Sequence, residues 1–95
     1  MSGRKPTLDE PIVVSQEWIN RRHDALTITL TTYNGANLVD LRKFAMNREG
    51  KLVPTPKGIS VKVTRLPDLL KAITKAVKEA RDRGLIDEDG GEGDE

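Results

Sequence analysis

The stretch that decides the fold is NLVDLRKFAMNREGKLVPTPKGISVKV, which spans residues 37–63. It predicts a long strand, a turn at residues 47–50, and a returning limb that ends in a second strand. Pro54 and Pro56 cannot donate to a sheet ladder, so they place the start of that limb in a loop or at a sheet edge. We therefore predict a short strand from Gly58 to about Thr64.

Two more strands are predicted before this stretch. Leu26, Ile28 and Leu30 alternate with threonines, which predicts a strand with one apolar face. The Asn-Gly pair within residues 33–36 is typical of a tight hairpin turn. The β-branched run that opens residues 12–19 favours a first strand there, although the Gln and Glu that follow suit a helical turn as well.

One amphipathic helix is predicted after the sheet. Pro67 suits the first helical position, Asp68 complements the helix dipole, and Gly84 is placed to end the helix. Apolar side chains at helical spacing form one stripe, which we expect to cover a face of the sheet. The predicted fold is α+β: a four-stranded antiparallel β-sheet, connected as a meander, followed by one C-terminal α-helix. The stripe consists of Leu66, Leu69, Leu70, Ile73, Val77 and Ala80.

Length and composition predict one small domain. The chain has 95 residues and one each of Trp, Tyr and Phe, so its core must consist of Leu, Ile and Val. Because such a core is marginal, we expect the protein to gain stability by forming oligomers. We divide the chain into a disordered leader (residues 1–10), one folded domain (residues 11–86) and an acidic disordered tail (residues 87–95).

Charge is distributed unevenly along the chain. All 16 lysines and arginines lie within residues 1–86 together with nine acids, which gives this part a net charge of +7. The last nine residues carry six acids and no base. A basic body favours a polyanionic partner, and the tail is either a weak internal competitor for that site or a solubilising segment.

Several classes of protein are disfavoured. The absence of cysteine excludes disulfides and thiolate metal sites. His23, the one histidine, lies beside Asp24 in a polar turn, and no serine stands in a nucleophile pattern, so we expect no enzyme, no cofactor and no metal. No stretch approaches the roughly 20 apolar residues of a membrane span, and the N-terminus does not resemble a signal peptide. We expect a cytoplasmic, nucleoid-associated protein without a membrane partner.

Basic and aromatic residues at strand ends favour nucleic-acid binding. Single strands are bound by positive grooves with exposed aromatic rings on which bases stack. Tyr33 is expected to be exposed and Phe44 to lie in the core, whereas stacking on a base and core packing are both open for Trp18. The basic residues that concentrate at strand ends and in loops are Arg21, Arg22, Arg42, Lys43, Arg48, Lys51, Lys57 and Lys62.

The segment LVDLRKFAMNREGKLVPTPKGISV, residues 38–61, resembles the bacterial branch of the positive cofactor 4 family. That family has a strand of the type I-D-I-R-x-aromatic, then an acid-Gly turn, a Pro and a basic Lys-Gly-Ile-Ser segment. The resemblance spans about residues 12–83. The matching residues here are Val39-Asp40-Leu41-Arg42, Phe44, Glu49-Gly50, Pro54 and Lys57-Gly58-Ile59-Ser60.

The resemblance implies a curved, dimeric sheet of the Whirly-like single-stranded DNA-binding type. It implies binding of single-stranded or unwound DNA with little sequence preference, in transcription or genome maintenance. Tyr33 matches a stacking aromatic of the family, and Arg42 and Lys57 match basic contacts. There are departures: Ala45 stands where eukaryotic members have a second stacking aromatic, and Pro56 replaces a basic residue.

We expect Trp18, Arg21 and Arg22 to compensate for these departures. The hypothesis is a homodimeric, sequence-tolerant single-stranded DNA binder in transcription regulation, as a coactivator, or in DNA repair, with the transcription machinery as a candidate further partner. The alternatives are a protein-interaction module of the same fold and an RNA binder, since stacking and phosphate contacts do not exclude a 2′-hydroxyl. The full set of predicted DNA contacts is Trp18, Arg21, Arg22, Tyr33, Arg42, Lys43, Lys57 and Lys62.

Overall fold

Four strands lie side by side in chain order and one helix follows them. The computed structural model of the protein describes residues 5–87. All three strand pairs are antiparallel, so the predicted four-stranded meander with one C-terminal helix is confirmed. The elements are β1 (Ile12–Trp18), β2 (Ala25–Tyr33), β3 (Ala36–Met46), β4 (Leu52–Lys62), a 3-10 turn (Val63–Arg65) and α1 (Leu66–Asp82).

The turns of the β2–β3 and β3–β4 hairpins are stabilised by the residues within them. Asn34 and Gly35 both have positive φ, 52° and 79°, which is the backbone shape that a two-residue turn between twisted strands requires. In the β3–β4 turn, the Asn47 side-chain oxygen accepts hydrogen bonds from the backbone N–H groups of Glu49 and Lys51, at 2.8 and 3.0 Å. These bonds stabilise the turn without help from the rest of the fold.

The predicted start of β4 at Gly58 is wrong. The strand begins at Leu52 and includes both Pro54 and Pro56. It can do so because β4 is an edge strand, where a missing N–H costs little, and because its pairing with β3 is interrupted beside the prolines. The helix begins near Pro67 as predicted, but Leu66 is its first residue and Pro67 its second.

The strand register gives the sheet two faces of different character, because paired residues point to the same side and alternate along each strand. We call them the polar face and the apolar face. The polar face carries Trp18, Thr27, Thr29, Thr31, Tyr33, Asp40, Arg42, Phe44, Ser60 and Lys62. The apolar face carries Leu26, Ile28, Leu30, Val39, Leu41, Ile59 and Val61.

The expectation that α1 covers a face of the sheet is wrong for the single chain. None of the helix residues is buried, and its stripe is open to solvent, with Leu70 65% exposed. Within the described part of the chain, Ala25 and Val39 are the buried apolar residues. Sequence spacing reveals such a stripe but not its packing partner, and in the single chain its side chains are half-buried or exposed.

The segment before β1 lies against the end of the first long hairpin. Of the predicted leader, residues 5–10 are described, and they form no helix or strand. Two hydrogen bonds tie this segment to the sheet: the Leu8 N–H donates to Thr32 Oγ1 at 2.8 Å, and Asn37 Nδ2 donates to the Pro6 carbonyl at 2.9 Å. Of the predicted acidic tail, all but Asp87 lies outside the described residues.

Candidate nucleic-acid interface

Two exposed aromatic rings lie at opposite ends of the polar face. Trp18 is 56% exposed at the end of β1, and Tyr33 is 68% exposed at the end of β2. Trp18 pairs with Ala25 at the start of β2, so the rings are separated by nearly the full length of that strand, about 27 Å at the usual rise per residue. Trp18 is therefore not a core residue of the chain, and both rings are accessible to a ligand.

A hydrogen-bonded loop after β1 presents Trp18. The ring of Trp18 meets the ring of His23 edge-on, with centroids 5.2 Å apart and planes at 81°. The Asn20 side-chain oxygen accepts from the N–H groups of Arg22 and Asp24, at 2.9 and 3.2 Å. The Ile19 N–H donates to the Asp24 carbonyl at 3.0 Å and closes the loop. The ring contact and these bonds limit the freedom of the loop beside Trp18.

Asp24 joins this loop to β3. Its side chain is largely buried, and its Oδ2 lies 2.9 Å from Asn20 Nδ2, 3.2 Å from Lys43 Nζ and 3.6 Å from Arg22 Nε. The hydrogen bond from Asn20, followed by those charges, outweighs desolvation and lowers the pKa of Asp24. Two predicted DNA contacts, Arg22 and Lys43, thus share one carboxylate. Lys43 also lies on the apolar face of the sheet, where it pairs with Leu26.

Arg42 is held by a second carboxylate on the polar face. Its Nε and Nη2 donate to the two oxygens of Asp40 at 3.0 and 2.8 Å, and its Nη1 donates to the Thr55 carbonyl at 3.0 Å. Ser60 Oγ donates to Asp40 Oδ1 at 2.6 Å. The hydrogen bond from Arg42 is the main reason why the pKa of Asp40 is lowered, and the same bond raises the pKa of Arg42. Both groups are therefore charged at neutral pH.

A shallow groove of about 300 Å³ runs over this ion pair. Threonine hydroxyls of β2, the Asp40–Arg42 pair and the ring of Phe44 line it. The prediction that Phe44 lies in the core is wrong, because Phe44 lies on the polar face, lines this groove and is half-buried. The groove therefore offers donors, acceptors and an aromatic surface together.

The remaining predicted contacts lie at the margins of the polar face. Lys62 is exposed opposite Leu38, and Lys57 is exposed in β4 between Pro54 and Gly58, where pairing with β3 is interrupted. No acid within residues 5–87 lies within 4 Å of either lysine. Arg21 is exposed in the loop after β1.

Sequence reasoning missed the two acids that hold cations. Asp40 and Arg42 are two residues apart on one strand, so their shared face follows from strand alternation and could have been predicted. The contact between Asp24 and Lys43 depends on the register of β2 against β3, for which the sequence offers no such signal. Ala45, the position of the missing second aromatic, pairs with Val53 on the apolar side.

Two negative findings apply to residues 5–87. These residues contain no group of three or more His, Cys, Asp or Glu side chains that could hold a metal ion. Within the same range, α1 is neither long enough nor apolar enough to cross a membrane.

Comparisons with known proteins agree with this architecture. Two crystal forms of a PC4 homolog from Burkholderia pseudomallei superpose with TM-scores of 0.64 and 0.65 at 24% identity, covering 72% and 78% of this chain and 98% and 99% of theirs. A bacteriophage T5 homolog of the eukaryotic transcription coactivator PC4, implicated in recombination-dependent DNA replication, superposes with a TM-score of 0.55 at 17% identity, covering 78% of this chain and 83% of its own.

At these identities the superpositions show a common fold. Among curated protein sequences, none matches this chain. The sequence profile of the family described as Transcriptional Coactivator p15 (PC4) matches residues 22–72, which is more than half of the chain. The matched range includes β2, β3 and β4 and the start of α1. The protein is therefore a member of the Transcriptional Coactivator p15 (PC4) family.

Proposed function

We propose that the protein binds single-stranded or unwound DNA with little sequence preference. The main support is the polar face, which carries two exposed rings, Trp18 and Tyr33, at its opposite ends and a groove lined by Arg42. Bases of any sequence can stack on such rings, because every base has a π-face. Membership of a coactivator family supports the DNA-binding class.

In this proposal the aromatic residues contact the bases and the basic residues contact the phosphates. Trp18 and Tyr33 stack on bases. Lys57, Lys62 and the arginines of the loop after β1 neutralise phosphates, since long basic side chains at the margin of a groove can follow a flexible backbone. Arg42 lies in the groove of the polar face, and Asp40 holds it in a fixed direction. Lys43 was predicted as a contact too, but it lies on the apolar face, where Asp24 holds it, so it has no place in the groove.

We propose further that the binding unit is a homodimer. The support is the amount of apolar surface that one chain leaves open, on the apolar face and on the stripe of α1. Exposed apolar surface of this kind is typical of an interface between subunits. A second copy can cover it without using the polar face.

In the cell, we propose a role in transcription regulation or DNA repair, in the cytoplasm and at the nucleoid, with the transcription machinery as a candidate partner. The family description supports the first role. The phage T5 homolog is implicated in recombination-dependent DNA replication, which supports a place for this fold in genome maintenance.

The decisive experiment is fluorescence anisotropy with a labelled oligo-dT and a duplex of equal length. We expect the single strand to bind more tightly, and log Kd to rise linearly with log salt concentration at about 0.7 per neutralised phosphate. Sedimentation on the same samples checks the dimer. Equal affinity for the two DNA forms would contradict the single-strand part of the proposal.

A protein-interaction module is the second candidate, favoured by the exposed outer strand. Ile12, Val13 and Val14 are each about half exposed on β1, an edge strand that can accept a further strand from a partner. Under this alternative, DNA binding is absent at physiological salt. An RNA oligonucleotide of matched sequence, included in the titration, tests the other alternative.

A further inference from the structure

β4 bows away from β3 at one point of their ladder. Arg42 pairs with Gly58, and two positions further along β3, Phe44 pairs with Pro54, so two steps of β3 match four steps of β4. The extra length must leave the plane of the ladder. We call residues 55–57 the β4 bulge, and its last residue is the exposed Lys57.

The β4 bulge is held by hydrogen bonds that converge on Thr55. Its Oγ1 donates to the Lys43 carbonyl at 2.7 Å and accepts from the Lys57 N–H at 3.2 Å. Its carbonyl accepts from Arg42 Nη1 at 3.0 Å. The backbone of Lys57 is thus fixed relative to β3, although its side chain points to solvent.

Gly58 brings the end of the bulge onto β3. A Cβ at this position would lie 2.6 Å from the Leu41 carbonyl oxygen and 2.8 Å from Arg42 Cα. Since both are backbone atoms, a larger residue could not be accommodated without separating the strands. The return of β4 to the ladder therefore occurs directly against Arg42.

Arg42 owes its direction to Asp40. A guanidinium has five N–H groups, and three of those on Arg42 are used within the chain, two on Asp40 and one on Thr55. Ser60 Oγ fixes the carboxylate from the β4 side. One continuous series of hydrogen bonds thus runs from Ser60 through Asp40, Arg42 and Thr55 to the backbone of Lys57.

We propose that Asp40 and Arg42 are positioning residues that set the β4 bulge and thereby place Lys57 against the nucleic-acid backbone. The inference rests on the proposed function. In this proposal Asp40 strengthens DNA binding, although it is an acid on the face that binds a polyanion. Charge alone predicts the reverse, because removal of an acid from that face should tighten binding.

The test is Asp40→Asn, which removes the charge and keeps the size. We expect the affinity for oligo-dT to fall about tenfold, because a displaced Lys57 loses its hydrogen bond to a charged phosphate. Glu49→Gln is the matched control, since it removes an exposed acid from the same hairpin outside this series. The control should bind as tightly as the wild type or more tightly.

A double-mutant cycle decides whether Asp40 acts through Lys57. In a Lys57→Ala background, Asp40→Asn should change affinity by less than about twofold, because coupled residues are not additive. An unchanged or tighter Asp40→Asn variant overturns the proposal, and so does a tenfold loss that persists without Lys57.

Two further measurements test the positioning role even if Asp40→Asn does not fold or if the protein does not bind single-stranded DNA. Thr55→Val removes the hydroxyl that binds the Lys57 N–H and leaves the Asp40–Arg42 ion pair unaltered. It should weaken oligo-dT binding about tenfold, and it replaces Asp40→Asn as the test if that variant does not fold. Hydrogen exchange of the Lys57 amide in the free protein should be faster in Asp40→Asn. If the wild type does not bind single strands, the proposed function fails, and unchanged amide exchange then overturns the positioning role separately.

Discussion

The ring centroids of His23 and Trp18 lie 5.2 Å apart with their planes at 81°, so the Trp18 ring is supported on one side and remains 56% exposed. His23 reaches this position in a left-handed backbone conformation, with φ of 67°. The loop is closed by Asn20 and Asp24. An aromatic side chain that is oriented before binding loses less conformational entropy when a base stacks on it.

Trp18 should report directly on DNA binding, because it is the one tryptophan of the chain. We expect oligo-dT to change its intrinsic fluorescence, and Trp18→Ala to cost about 1–3 kcal/mol of binding free energy. Trp18→Phe keeps an aromatic surface and should retain most of the affinity. Binding seen by anisotropy with an unchanged fluorescence spectrum at saturation would place Trp18 outside the interface.

Tyr33 should contribute through its ring and not through its hydroxyl. It is the most exposed aromatic residue of the polar face. Tyr33→Ala should therefore weaken oligo-dT binding by about 1–3 kcal/mol, whereas Tyr33→Phe should bind within about twofold of the wild type. Melting curves of both variants serve as the control for folding. An unaltered affinity in a folded Tyr33→Ala variant would count against stacking at this end.

Asp24 should make stability depend on pH in the acidic range. The pKa of its carboxyl is lowered in the folded chain, first by the hydrogen bond from Asn20. Its stabilising contribution is therefore complete above the unfolded-state pKa, about 3.9, and is lost as pH falls through the lower folded-state value. We expect the melting temperature of the wild type to approach that of Asp24→Asn as pH is lowered below about 4. Parallel melting curves for the two proteins between neutral and acidic pH would contradict this role.

Local patterns account for the part of the fold that sequence could predict. The threonine alternation of β2 and the Asn-Gly turn depend on neighbouring residues, and both were confirmed. The length of β4 depends on the ladder beside it, which tolerates Pro54 and Pro56, and no local pattern reports that. The predicted DNA contacts follow from residue type alone. Strand alternation is enough to place Asp40 beside Arg42, whereas the contact of Asp24 with Lys43 depends on the register of β2 against β3.

The apolar face should be the subunit interface, and Ile59 tests it. Ile59 is 56% exposed on that face in the single chain, so Ile59→Glu disturbs few contacts within it. In a dimer that covers this face, the substitution loses roughly 1–2 kcal/mol of apolar burial per copy, since about half of the side chain is still exposed in the single chain, and it buries a charge. We expect sedimentation to shift from dimer to monomer.

Val13→Glu is the matched control for Ile59→Glu. Val13 is equally exposed but lies on the polar side, paired with Thr29. It should leave the oligomeric state unchanged. A dimeric Ile59→Glu variant, or an equal effect of both substitutions, would show that the interface lies elsewhere.

The acidic tail should reduce the affinity for DNA if it competes with phosphates. Truncation after Ile86 removes six acids and leaves a chain of net charge +7. We expect oligo-dT binding to tighten several-fold at about 0.01–0.1 M salt, where the Debye length is roughly 10–30 Å, and the gain to vanish near 1 M, where it is about 3 Å. A full-length variant with the six acids changed to Asn and Gln separates charge from length, because it should match the truncated chain if charge is the cause. If neither variant differs from the wild type at low salt, the tail does not compete and only its solubilising role is left.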